Sequence, residues 1–513
     1  MTIDIRHSFI SITAGIALLG TLGLSACDKS KGDPTPPDQT ADAEPTPAQT
    51  EPARVYPDPP PPSEQRPVNF PALQKFELPN KLMVYVVENH EVPLVDVQLV
   101  VKAGTIHDEL LAGLTASMLS EGTRKRSKAK IDRDIEQLGS SLSTSAGEHN
   151  ARISTRVLTP NLKFALELVN DVAQHPKFAD EALAKLRDQQ KVAIQGEKSN
   201  GGALAKRLTS MVLFPKGHPY AQPFPTDAEI DAVTADDLRK FHSTWYRPGN
   251  AYLILSGDVT QADVQKLVEK TLGTWKPGKA ESFPPHPLEA FSAEDYQKAI
   301  PTEHVVHIVD RNQISSDIVI ANVNSVARNS PDWEEMAAVM KLFGGGMSSQ
   351  LFRDIRETRA LTYNIGSYQA PQKAVGVFAI VTQTKKTDEM LNALFEHIER
   401  LRTTDPKPVE FKTAVDNLAL SFPLQIETAS QIAGKVATML TYGLPEGYYN
   451  KYIDEVRKIE IGDIKATAAK HVHPVPVIVI VGKAVKVKKQ LKDVGVLEGA
   501  KIIEYDTNLH VKN

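Results

Sequence analysis

From Phe76 onward, short apolar runs alternate with longer stretches in which apolar residues recur every three or four positions. That rhythm predicts strands alternating with amphipathic helices. Leu82 to Val87 and Val95 to Val101, rich in Val and Leu and closed by Gly104, read as two strands joined by a loop. Ser127 can cap a helix whose Ile131, Ile135 and Leu138 share one face and which Gly139 ends. Ala151, Ile153, Thr155 and Val157 alternate as a half-buried strand, and Thr159-Pro160 opens a helix burying Leu162, Leu166, Val169 and Val172. Short turns between some strands argue against a purely parallel sheet.

The pattern occurs twice. Asp237 to Gly257 and Asp463 to Gly482 each present a polar helix end, a proline, an apolar strand and a closing glycine, so the chain reads as two related halves. Pro277, Gly278, Pro284, Pro285 and Pro287 mark a linker over 277–299, between a first half at 69–276 and a second at 300–513. A length of 513 residues agrees with more than one core. A net charge of -4 with 24% charged residues leaves no basic excess to draw nucleic acid.

The N-terminus obeys different rules. An apolar run from Phe9 to Leu24 after Arg6 reads as a signal segment and ends in Leu24-Ser25-Ala26-Cys27, which resembles the bacterial lipobox with Cys27 as the acylated residue. As the lone cysteine, Cys27 leaves no intramolecular disulfide and no other thiol for catalysis. Residues 28–68, crowded with Pro, Thr, Asp, Glu and Ala, cannot form a core. They read as a disordered stalk; at roughly 3.1 Å per residue in polyproline II it reaches on the order of 100 Å. The expected location is the cell envelope, lipid-anchored and periplasm-facing, with the choice of membrane open.

Five segments in order carry a family resemblance: VVKAGTIHDELLAGLTASMLSEGT, HPY at His218 to Tyr220, FHSTWYRPGNAYLILSGDV, FGGGMSSQLFRDIRETRALTY, and the apolar strand closed by Gly482. Over roughly Phe76 to Lys483 the chain resembles the pitrilysin, insulinase and mitochondrial processing peptidase superfamily. The resemblance implies an α/β (α+β) protein of two homologous α/β-roll halves, each a mixed sheet covered by helices, facing each other like part of a clamshell.

Active members of that superfamily carry H-x-x-E-H on a helix after a Gly-Leu pair, because residues four apart share a helical face and let two imidazoles reach one cation. Here Gly113-Leu114 is followed by Ala116 where the first imidazole is expected and by Ser120 four residues later. No substitute set emerges: His107, the His304/His307 pair and the His471/His473 pair lack the spacing or the glutamate. Glu197, near the family's distant third ligand, reads as a solvated helix residue. No metal is expected in this chain.

The second half resembles the element that the family places across the clamshell from zinc. Ser348 opens a helix through Leu351, Phe352 and Ile355, and Arg356 and Tyr363 match the family's arginine and tyrosine. An arginine can hydrogen-bond a substrate carbonyl and a tyrosine can donate to a developing oxyanion. By residue type alone, Arg356 pairs with a glutamate and Tyr363 packs in a strand continuing to Gly366. Gly344 to Gly346 lack the Gly-Lys-Ser/Thr of a phosphate cradle and read as a tight turn.

The expectation is a non-catalytic subunit that binds unfolded or extended peptides and supplies Arg356 and Tyr363 to a homologous partner chain bearing the zinc, inactive by itself. A proteolytically inactive scaffold of the same fold is the alternative.

Overall fold

The computed structural model describes residues 68–277 and 283–512. The signal segment, Cys27 and most of the proline-rich stretch lie outside the described residues.

The first half runs β1 (Gln74–Glu77), β2 (Met83–Glu88), β3 (Leu94–Val101), α1 (Glu109–Met118), α2 (Lys128–Glu136), β4 (Leu142–Ala146) and β5 (Ala151–Leu158). Helices α3 (Leu162–Gln174), α4 (Asp180–Ser199), α5 (Gly201–Leu213), α6 (Asp227–Ala232) and α7 (Ala235–Trp245) come next, then β6 (Ala251–Gly257) and α8 (Gln261–Thr271). Between the halves, the stretch expected as a linker contains α9 (Ala293–Lys298), whose Tyr296 is buried against His218.

The second half repeats the order: β7 (Val305–Asp310), β8 (Ser316–Asn324), α10 (Trp333–Gly344), a π-helical turn (Phe352–Thr358), β9 (Ile365–Pro371) and β10 (Gly376–Thr384). Then come α11 (Thr387–Thr403), α12 (Pro408–Ser421), α13 (Ala429–Tyr442), α14 (Tyr448–Lys458), α15 (Ile461–His471), β11 (Val477–Gly482), α16 (Ala484–Leu491) and β12 (Lys501–Tyr505).

Local signals act where expected. Ser127 caps α2 by accepting from the Lys130 amide, and Gly139 past its end has φ +64°, a left-handed conformation that suits glycine. The two repeated segments are α7 with β6 and α15 with β11, and they occupy the same place in two six-stranded sheets ordered β1-β2-β6-β3-β5-β4 and β12-β7-β11-β8-β10-β9. Strand β6 runs parallel to β2 and antiparallel to β3; β11 does the same between β7 and β8. The sheets are therefore mixed. Their outermost strands come from opposite chain ends, β1 antiparallel to β2 and β12 parallel to β7.

Each sheet is buried on both faces, which is why β6 and β11 are continuous apolar runs rather than alternating ones. One face packs on helices of its own half. The other is covered by a helix lent by the opposite half: Leu204, Ala205 and Leu208 of α5 pack on Val319, Ala321 and Val479, and Ile432, Ala433 and Val436 of α13 pack on Val87, Val100 and Ile254. The exchange is reciprocal, so the halves share core and act as one unit.

An aspartate marks each exchanged helix start. Asp96 pairs across to Ser256 and Asp317 to Val481, each partner one residue before the glycine that closes β6 or β11. The Ser430 hydroxyl at the start of α13 donates to Asp96, while a side chain on Gly201 at the start of α5 would lie 2.1 Å from the Asp317 carboxylate. Carboxylates there complement the positive helix ends.

Candidate functional site

The first candidate region is α1 and the turn after it. Asp108 accepts from the Leu111 amide at 2.8 Å and starts the helix. Ala116 is 1% exposed and Leu119 fully buried, so the helical face where metal ligands would project is packed with apolar groups. Ser117 donates to the Gly113 carbonyl at 3.0 Å, Ser120 to the Ser117 carbonyl at 3.3 Å, and Thr144 of β4 to Ser120 at 3.4 Å. Ser117 and Ser120 thus spend their hydroxyls on backbone carbonyls of the same stretch.

Glu197 is not simply solvated, as expected from sequence. Arg207, on the next helix, places its guanidinium 3.2 Å from Glu197 and 2.9 Å from Glu109, tying α4, α5 and α1 together. The sequence offered no sign of this because the contact is between helices. Among the described residues no group of three or more His, Cys, Asp or Glu is placed to hold a metal ion. A methyl, a hydroxyl already engaged and an ion-paired carboxylate do not make a zinc donor set.

The second region comes after α10. Gly344 fits where a side chain would meet the Ser367 amide at 2.4 Å, and Gly346 has φ +138°, so the glycine run is a tight turn as expected. The helix expected from Ser348 instead begins at Gln350 and widens into the π-helical turn, in which the Arg359 amide donates to the Asp354 carbonyl at 2.8 Å. One extra residue in a turn rotates the downstream side chains by about 100° relative to an α-helix. Ala360 then takes φ +51°, a left-handed conformation costing a non-glycine residue roughly 1–2 kcal/mol.

This geometry brings Arg356 and Tyr363 together. The Arg356 guanidinium carbon lies 4.4 Å from the Phe352 ring centroid and 4.6 Å from that of Tyr363, within cation–π range of both. Tyr363 is 69% exposed and precedes β9 rather than packing within it. Among the described residues no carboxylate is within ion-pair distance of Arg356. The half-buried guanidinium and the exposed phenol are thus a stacked pair, neither making a hydrogen bond or ion pair among the described residues.

A third cluster escaped sequence reasoning. The β4–β5 and β9–β10 turns meet at the joint between halves, where Gln372 donates to Glu148 at 3.3 Å and the Tyr220 hydroxyl lies 3.4 Å from both His149 and the Lys373 amide. Surrounding protein raises the Glu148 pKa to about 7 even though its side chain keeps 40% of its surface exposed. Burial, with Lys373 adding to it, lowers His149 to about 3. A cleft of about 310 Å³ opens beside Glu148, Glu197, Lys206, Arg207, Tyr220 and Gln222. Only Tyr220 in the HPY segment hinted at it, since the rest converge from separate elements.

Comparison with known proteins accords with this geometry. Residues 83–213 match the family described as insulinase (peptidase family M16), and residues 232–418 match the peptidase M16 inactive domain. A protein of Rickettsia bellii named an uncharacterized zinc protease is 23% identical, covering 76% of this chain and 93% of that protein. A Helicobacter pylori protein named a non-peptidase homolog, YmxG, is also 23% identical, with 75% and 88% covered. The crystal structure of a peptidase M16 inactive domain from Pseudomonas fluorescens superimposes with TM-score 0.71 at 25% identity, covering 80% of this chain and 98% of that one.

Proposed function

We propose, from the premise that this chain belongs to the M16 family of insulinase-like peptidases and their inactive domains, that it is the non-catalytic, peptide-binding subunit of a zinc peptidase whose metal sits in a homologous partner chain. The supporting observation is the contrast between a motif helix with a buried alanine and an internally bonded serine where imidazoles would stand, and an Arg356–Tyr363 pair stacked at a π-helical turn with its phenol exposed. Arg356 would hydrogen-bond a carbonyl of an extended peptide, and the Tyr363 phenol would donate to the oxyanion that forms as that carbonyl is attacked. The peptide would add as a strand to an exposed sheet edge. Cys27, acylated, would hold the chain at the cell envelope, facing the periplasm.

The test is co-purification with a zinc-bearing homologous subunit from the same organism. The pair is expected to hydrolyse unstructured peptides, and Arg356→Ala or Tyr363→Phe to lower kcat at least about a hundredfold without dissociating the complex. The chain alone, stripped of metal, should be inactive. Hydrolysis at a normal rate by the metal-free chain would sink the reading. Undiminished activity of the Arg356→Ala pair would favour a proteolytically inactive scaffold instead.

A further inference from the structure

Asp354, two residues before Arg356 on the π-helical turn, is the centre of a chain of hydrogen bonds whose donors and acceptors can be assigned. The Arg400 guanidinium is 2.7 Å from Nδ1 of His397. Arginine can only donate, so Nδ1 accepts and the proton of the neutral ring sits on Nε2. That Nε2–H donates to Oδ2 of Asp354 at 2.7 Å. The same oxygen accepts from Nε of Arg359 at 2.9 Å, and Arg359 reaches on to Glu396 at 2.8 Å. His397 is fully buried.

Asp354 and Arg359 are therefore joined twice, once by the backbone bond of the π-helical turn and once by their side chains. The residues between them, including Arg356, form a closed loop. Ile355 and Leu361 seat one side of the segment in the core, but close packing does not hold all of it, because a cleft of about 380 Å³ adjoins the turn, lined by Arg353, Asp354, Thr358, Arg400 and Glu410 among others. With Ala360 strained at one end, the turn has both a motive and room to relax.

We infer that Asp354, His397 and Arg359 are positioning residues, a brace that holds the π-helical turn so that Arg356 stacks on Tyr363 and both face substrate. The inference rests on the reading of that pair as substrate-facing. The brace touches no substrate itself; its whole effect passes through Arg356.

Two variants break it from opposite sides: His397→Phe removes the buried imidazole, and Arg359→Ala removes the partly exposed guanidinium, so a folded variant remains even where a buried change is not tolerated. In the full chain, either is expected to speed amide exchange over residues 356–363 at least tenfold while β10 keeps its protection. In the reconstituted pair, each should lower kcat at least tenfold with KM little changed, and neither should lower it further when Arg356→Ala is already present. His397→Gln, which can still donate to Asp354, should recover part of the loss. Unchanged exchange over 356–363, or losses that multiply with that of Arg356→Ala, would overturn the brace. If Arg356→Ala leaves activity intact, the subunit role fails instead, and the exchange measurement still decides whether the brace holds the turn.

Discussion

The two halves share one order of inner strands and differ in the connection from α1 to β4 against that from α10 to β9. In the first half, α1 leads into β4 through segments rich in internal polar contacts: Thr144 donates to Ser120, Ser120 to the Ser117 carbonyl and Ser117 to the Gly113 carbonyl, and Arg126 sits between Asp134 and Asp171 with Thr123 also bonded to Asp171. In the second half, α10 leads into β9 through a π-helical turn, a left-handed alanine, and an arginine whose described partners are two rings. Met347 and Tyr363 are left 74% and 69% exposed on that stretch. One connection is spent on stability. The other stores strain and open valence, the mark of a segment kept for contact with something else.

The largest effect that tests how far the halves correspond is expected at their closing glycines. Gly257 has φ +133° and a side chain there would meet the Leu94 carbonyl at 2.0 Å, whereas Gly482 lacks the positive φ and faces side-chain atoms, the Ser316 hydroxyl at 2.9 Å and a Val487 methyl at 3.2 Å. Gly257→Ala should destabilise by roughly 3 kcal/mol or more and Gly482→Ala by about 1 kcal/mol, read as the shift in urea midpoint. Equal losses would show that the duplicated strands end under the same constraint. Next in size is Asp171→Ala, which leaves Arg126 only its longer contact to Asp134 at 3.6 Å and removes the acceptor of the Thr123 hydroxyl, in a site where the Asp171 and Arg126 side chains are only 6% and 18% exposed. A loss of about 2 kcal/mol is expected by the same measurement, since a part-buried charge left with one long contact and a hydroxyl left without its acceptor cost more than a surface pair contributes; a loss under 1 kcal/mol would mean the first connection is not the rigid one.

Acid should also separate the halves. Burial holds His107, His218 and His242 at about 4 and His149 at about 3 in the first half, while in the second half the imidazole held to about 4 is His307. These rings are neutral when folded but ionise near 6.5 when unfolded, so between pH 6.5 and 4 the unfolded chain binds more protons and stability falls as pH falls. Glu148, raised to about 7, acts with the opposite sign, adding stability that fades as pH rises from 4.5 through 7. Thermal midpoints across pH 4 to 7 should drop on acidification. His218→Gln should flatten the slope more than a change at exposed His510; an unaltered slope would mean the joint does not carry the sensitivity.

What was legible in the sequence was local. Ser127, Gly139 and the α7–β6 and α15–β11 repeats announced their elements because caps, turns and apolar runs are written within a few residues. Partners across the chain were not written there. Strand β6 arrives from far along the sequence to lie between β2 and β3, and no periodicity tells α5 and α13 to cover the opposite sheet. The π-helical turn was equally hidden, since LFRDIRETR has the composition of an ordinary helix and the difference lies in which carbonyl each amide finds. Arg356 and Tyr363 could be picked out by resemblance, but His397, in another helix, could not be linked to them.

The smallest expected effect is the most discriminating. Ser120 stands where a second imidazole would be needed, yet its bonds at 3.3 and 3.4 Å are long and the residue is only half-buried. Removing a weak hydrogen bond whose partners can turn to solvent contributes little, so Ser120→Ala should shift stability by no more than about 0.5 kcal/mol. It should also leave peptide turnover by the reconstituted pair unchanged. Arg356→Ala should be nearly as quiet in the denaturation curve, because a half-buried guanidinium stacked on rings without an ion pair contributes about 1 kcal/mol, but loud in turnover. If Ser120→Ala slowed turnover more than threefold, the first connection would have to touch substrate after all, and the division of labour between the halves would fail at the position where it is drawn most sharply.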